Sequence, residues 1–165
     1  MTNAALRSVL LAACIAACQT ADADGTLYTL KTVNNFVIPH SDTYAFTLGG
    51  QGYQRTYDYR GGSIVLRPDS SFLLRVQLHE SQPDPFGTSG INHDIERAFE
   101  GTYSVGATDS TMTLTGTVDN AAARTMTGAY HGDFVLVTWA DTETDHASGQ
   151  PLFSYTDYLR FEKPQ

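Results

Sequence analysis

Two polar clusters and one row of tyrosines carry the side chains best suited to chemistry in this 165-residue chain. His79, Glu80, Asp84, His93, Asp94 and Glu96 lie close together in sequence. Imidazole and carboxylate are proper zinc ligands, and three of them converging would suffice for a catalytic-type site. Their spacing is loose, so no metal site is assigned to them. In Asp141-Thr142-Glu143-Thr144-Asp145-His146, acids alternate as at the start of a calcium loop. The sixth position is His146, where such a loop needs Gly, and the twelfth is Leu152, where it needs Glu. The run therefore reads as a solvated acidic loop between two strands. His131 beside Asp133 reads as a surface pair at a strand end. Tyr53, Tyr57 and Tyr59, with Arg55 between them, and Tyr130 are the candidate ligand-binding residues. Tyrosine offers an apolar body and a polar tip, which suits a ligand mouth or a partner surface. The same row is also what one face of a barrel strand presents.

Motifs of nucleophilic catalysis are missing: there is no Gly-x-Ser-x-Gly, no Ser-x-x-Lys and no His-Glu-x-x-His. No glycine-rich phosphate loop opens a helix. No catalytic residue, metal or cofactor is assigned, and the chain is expected not to be an enzyme. Beyond position 17 it carries 18 acidic against 9 basic side chains, a net charge of −9. Nucleic-acid binding rests on clustered Lys and Arg, so that class of partner is set aside. The charge serves solubility.

These side chains must be positioned by strands. Hydrophobic residues make up 41% of the chain and charged residues 17%, a globular composition. Phe72, Leu74, Val76 and Leu78 alternate with Leu73, Arg75, Gln77 and His79, and Met112, Leu114 and Val118 alternate with a row of threonines. Met126 and Tyr130 do the same. Alternation of period two marks half-buried strands. Turn signals such as Pro68-Asp69-Ser70-Ser71 and Ala107-Thr108-Asp109-Ser110 separate them. Eight to ten strands are predicted near 27–33, 44–48, 53–59, 63–67, 72–79, 99–105, 111–118, 124–131, 134–139 and 153–162. Asp94 to Phe99, with Ile95 and Phe99 four apart, predicts a turn or two of helix inside a long connection, 80–98. Gly116 and Gly128 occupy apolar-row positions on adjoining strands, where glycine lets a barrel bend. Short consecutive turns favour a single antiparallel up-and-down barrel over a sandwich.

The first residues read as an address. Arg7 and the amino terminus precede a ten-residue apolar run, Ser8 to Ala17, too short to span a bilayer and suited to an export signal. It ends in Ile15-Ala16-Ala17-Cys18, which resembles the lipobox of bacterial lipoproteins. That resemblance implies a lipid on Cys18 and cleavage before it. Leu11-Ala12-Ala13-Cys14 has the same spelling with a shorter apolar run, and Ala21-Asp22-Ala23 offers ordinary cleavage to a soluble product. The resulting division is 1–17 signal peptide, 18–25 lipidated cysteine and short tether, and 26–165 barrel domain. No cysteine lies beyond position 18, so the domain is expected to fold without an internal disulfide. Gln19 follows the cysteine where Asp would imply retention at the inner membrane, so the resemblance implies the outer membrane.

Three further stretches, Gly25-Thr26-Leu27-Tyr28-Thr29-Leu30, Gly62 to Phe72 and Gly101-Thr102-Tyr103-Ser104-Val105 continuing through Gly116, resemble small bacterial lipoproteins with lipocalin-like meander barrels. The resemblance implies an all-β barrel tethered to the membrane by its lipid. Such a barrel is wide enough to be filled by side chains or to hold one small ligand. It would bind a small apolar ligand or an envelope protein, or, with a solid interior, serve as an accessory subunit of a membrane complex. An envelope hydrolase or a metal-binding protein is the least supported use.

Overall fold

The computed structural model describes residues 25–83, 90–119, 123–145 and 148–165. The proposed signal, Cys14, Cys18, Asp84 and His146 lie outside them. The described residues form ten strands and no helix: β1 (Thr26–Val33), β2 (Phe36–Val37), β3 (His40–Leu48), β4 (Gln51–Leu66), β5 (Ser71–Gln82), β6 (Ile91–Val105), β7 (Thr111–Val118), β8 (Ala123–Tyr130), β9 (Phe134–Thr144) and β10 (Pro151–Glu162).

Each strand from β4 to β10 pairs antiparallel with the next, and β1 closes the sheet by pairing with both β4 and β10. The result is an eight-stranded up-and-down barrel, as the alternation implies. β1 meets β4 from Thr26 opposite Leu66 to Thr29 opposite Ser63. Farther along β4, Gln51 to Tyr59 pair instead with β3. β1 and β3 therefore share one strand position, β1 in the lower half and β3 in the upper, with β2 folded out between them. The β1–β2 reversal has two residues, Asn34 and Asn35, both at positive φ (52° and 70°). Such hairpins demand this conformation, and Asn is among the residues that adopt it most readily.

Three predicted elements differ. Residues 53–59 and 63–67 form one strand, because Gly61-Gly62 makes a register shift and not a turn. The predicted helical turn at 94–99 belongs to β6: a spacing of four lies on one face of a strand as well as of a helix, and Ile95, Arg97 and Phe99 all point inward. The connection 80–98 is correspondingly shorter, since β5 runs to Gln82 and β6 starts at Ile91.

Inward rows converge as period two requires. Phe72, Phe99, Met112, Leu114, Val137 and Phe161 are buried in the lower half, with Phe72 edge-on to Phe99 at 4.9 Å between ring centroids. Leu73 is half-exposed on the outside. Gly116 lies opposite Gly101, and a Cβ on it would collide with the carbonyl oxygen of Glu100; one on Gly128 would collide with that of Leu136. Both glycines serve close approach of neighbouring backbones.

The register sets an energetic contrast between adjacent residues of β7. Leu114→Ala should cost about 2–5 kcal/mol, the usual range for a buried leucine. Thr113→Ala, on the outer face, should cost well under 1 kcal/mol, roughly the scale of surface changes. Denaturant melts of both variants check this, and equal small losses would contradict a filled interior.

Candidate functional site

Along five strands the inward row carries a charged residue in phase with apolar neighbours: Arg55 on β4, Glu80 on β5, Arg97 on β6, Asp141 and Glu143 on β9, and Asp157 on β10. All lie toward the upper end, where the barrel interior becomes polar. Arg97 meets Glu143 at 2.6 Å, Asp141 at 3.1 Å and the Tyr155 hydroxyl at 3.1 Å. Arg55 reaches Glu80 at 3.2 Å and Glu143 at 3.3 Å, and its Nε donates to Gln82 at 2.9 Å. The Arg55 guanidinium also lies 5.8 Å from the Phe46 ring and 5.9 Å from that of Phe153, within cation–π range. Arg124 completes the set on Asp141 at 3.2 Å.

Glu143 is the hub, accepting from Tyr57 at 2.8 Å as well as from both arginines. Burial alone would raise its pKa. The bonds from Arg97 and Tyr57 and the two guanidinium charges outweigh burial and hold the carboxyl below the usual glutamate range. Burial and the adjacent Glu143 push the Tyr57 hydroxyl upward, so it stays protonated and donates.

A second polar centre lies deeper. Asp157 is 1% exposed. Its Oδ1 accepts from Asn34 Nδ2 and from the Tyr44 hydroxyl, each at 2.9 Å, and its Oδ2 accepts from the Tyr59 hydroxyl. Burial, then the nearby Asp157 charge, raises both tyrosines well above their ordinary range. Asn34 also donates to Asp42 at 2.9 Å, and Asp42 meets His40 at 3.0 Å. The carboxylate thus gathers the β1–β2 turn, β3 and β4 onto β10.

The candidate residues fall differently from one another. Tyr53, Tyr57 and Tyr59 share the inward face of β4, but Tyr57 and Tyr59 are buried and only Tyr53 reaches the upper rim. Tyr130 is at the opposite end, beside Tyr28, so the four do not form one mouth. The zinc-type cluster is split across a sheet: His79 meets Asp94 at 2.7 Å outside, while Glu80 meets His93 at 3.6 Å inside. Among the described residues no group of three or more His, Cys, Asp and Glu could hold a metal ion. The expected acidic loop is the end of β9, and Asp141 and Glu143 point inward because 135, 137, 139, 141 and 143 form one row. His131 stacks on Phe134 at 4.5 Å.

The signal for the network was present in the sequence, as a charge where each apolar row called for a hydrophobe. What the sequence left open was that five such charges meet. Their meeting closes the interior. The gap enclosed by Tyr59, Leu78, Arg97, Trp139, Tyr155 and Leu159 is about 10 Å³, the lower limit for one water. Above it, an open cleft of about 440 Å³ reaches down to Arg97 and Glu143, with Ile91, His93 and Ile95 at its lip.

Asp157→Ala would leave the buried Tyr59 hydroxyl and the partly buried Tyr44 hydroxyl without an acceptor and take one of two from Asn34, costing about 3 kcal/mol, or roughly 6–12 °C in Tm. Amide exchange should accelerate more in β3 than in β7, and uniform acceleration would show that Asp157 does not pin that junction. Glu143→Gln tests the upper network by pH. The stability from a depressed carboxyl is complete above its unfolded pKa, about 4.3, and is lost as pH falls through the folded value. The variant should be less stable than the parent by about 2–3 kcal/mol at pH 7, with the gap narrowing below about pH 4. A gap independent of pH would mean that the Glu143 charge contributes nothing.

No family model, curated protein or solved structure matches the chain, so what it does is read from this geometry.

Proposed function

We propose that this chain is an exported, lipid-anchored envelope protein whose barrel is a non-enzymatic module that engages another envelope component from its outer surface. The observation that carries this reading is the filled interior. A ligand pocket ordinarily encloses roughly 300–1,000 Å³; the upper cleft of about 440 Å³ is walled by charged side chains such as Arg55, Glu80, Arg97 and Glu143, and the gap at the centre of this barrel is about 10 Å³. An apolar guest has no room there, which favours the accessory barrel over the carrier. The inward polar groups support the same reading. Arg55, Arg97, Glu143 and Asp157 are engaged with other side chains of the interior, and burial keeps the Tyr57 and Tyr59 hydroxyls on these carboxylates protonated, as structural donors and not as activated nucleophiles. The anchor rests on Ile15-Ala16-Ala17-Cys18 and the apolar run before it. The outer membrane is the compartment that Gln19 supports. The upper cleft, with Ile91 and Ile95 beside His93, is where side chains of a partner would insert.

Two measurements test the proposal. After a high-salt wash the protein should remain with membranes, since several acyl chains contribute about 0.8 kcal/mol per buried methylene. Cys18→Ser should release it or block its maturation. If Cys18→Ser matures and fractionates normally while Cys14→Ser does not, the lipid is on Cys14. A brominated fatty acid titrated into the purified domain should leave the emission of Trp139, its single tryptophan, unchanged. Saturable quenching would reveal an apolar guest and overturn the packed-barrel reading.

A further inference from the structure

The outside of the barrel is not uniform along its length. At the lower end β1 begins and β10 finishes, and the chain enters at Gly25. Leu27, Val105 and Leu136 point outward within two residues of the lower ends of β1, β6 and β9, and are 45%, 39% and 36% exposed. Leu27 pairs across to Val65, which is itself buried, and Val65 to the half-exposed Leu73. At the upper ends of β4, β5 and β6 the outward positions are Gln54, His79, Ser81, Asn92 and Asp94. Large apolar side chains thus mark the lower rim on several sides, where the chain enters; others are exposed farther up, Phe36, Val37 and Tyr158 around the β1–β2 hairpin and Leu48 at the upper tip of β3, away from the end that the chain enters.

The tether decides what covers this rim. Six residues separate Cys18 from Gly25. Fully extended, the seven steps span at most about 25 Å. The upper cleft lies farther away, since the 16 residues of β4 rise roughly 50 Å along the strand. A lipid on Cys18 therefore keeps the apolar rim near the bilayer and the cleft away from it. The turns at the lower end carry Asp69, Asp109 and Asp133, against Arg67 and Lys163. Asp69 and Asp109 accept from Ser71 and Thr111, and these bonds hold both carboxyls below their ordinary range. Acids at these tips disfavour an anionic surface and suit headgroups that bear an ammonium.

We propose that the lower rim, marked by Leu27, Val105 and Leu136, rests in the interface of a bilayer with zwitterionic headgroups, so that the barrel stands upright and presents its upper cleft outward. The proposal rests on the lipid anchor read above. With Cys18 acylated and Cys14 removed, a cysteine introduced elsewhere is the one free thiol of the mature chain. Lipidated protein carrying an environment-sensitive fluorophore at Leu27→Cys, Val105→Cys, Leu136→Cys, Thr125→Cys or Ser81→Cys is reconstituted into vesicles of phosphatidylethanolamine and phosphatidylcholine. Flotation reads the anchor by itself, and protein that fails to float refutes the lipid reading. In floating protein, the labels at 27, 105 and 136 should shift to the blue and be quenched by brominated lipid, while those at 125 and 81 stay as in water. If the three rim labels are as wet as the label at 81, the rim does not touch the membrane. Replacing phosphatidylethanolamine with phosphatidylglycerol should reduce the shift, and a larger shift would overturn the choice of headgroup.

Discussion

The carboxylate of Asp157 is the constraint around which this barrel is arranged. A carboxyl group at 1% exposure must be met by hydrogen bonds, or its desolvation is left uncompensated. Asn34, Tyr44 and Tyr59 meet it, and they come from the three segments that have to be reconciled where β1 hands its place to β3. Asn34 does so from the left-handed conformation of a two-residue turn, and its backbone is tied to Tyr158 on β10. An apolar residue at position 157 would not choose between β3 and a continuation of β1. The carboxylate does, because only one arrangement delivers three donors.

The upper network extends this logic across the barrel. Buried ion pairs contribute little net stability, since desolvation offsets their attraction. They are costly to mispair, however. Arg97 is met by Asp141, Glu143 and Tyr155, and Arg55 by Glu80, Glu143 and Gln82, so a slip of one residue in β6 or β9 would send a charge into the apolar half or turn it outward. The network therefore fixes register among β4, β5, β6 and β9 at the end where the β5–β6 and β9–β10 connections are long and give no help. At the lower end, three-to-five-residue turns and aromatic packing perform the same task.

Legibility followed the same division. The alternations of β5, β7 and β8 were plain, because a hydrophobic row of period two fits little besides a half-buried strand. β6 was misread in part because Ile95 and Phe99 are compatible with two periods, and Arg97 between them looked like a polar face. The acids of β9 looked like a loop for the same reason: a charge on an inward position is indistinguishable, within one strand, from the end of that strand. Only partners on other strands identify Arg97 or Glu143 as interior, and pairing across the barrel is not written locally. Tyr57 and Tyr59 illustrate the reverse. Their spacing correctly implied a shared face, but whether that face met ligand or carboxylate depended on Glu143 and Asp157, about 86 and 98 residues away in the chain.

One seam remains in an otherwise closed sheet. Above Asp157, the outer edge of β3 faces β10 without forming a ladder among the described residues. Side chains hold this join: Tyr44 stacks on Phe153 at 5.3 Å and lies 5.2 Å from Tyr155, and Phe46 stacks on Phe153 at 5.3 Å. Aromatic stacking covers the open edges, which would otherwise present unpaired backbone to other chains. It is also a weaker tie than a ladder, so local opening should begin where β3 leaves β10. Such opening would wet Arg55 first, because it lies against the rings of Phe46 and Phe153, and then Glu143, to which Arg55 is paired. It would stop at Asp157, where the ladder between β1 and β10 takes over. The polar upper half can thus loosen while Leu114, Phe99 and Phe161 stay dry, which separates the part of the barrel that can adapt from the part that keeps it folded.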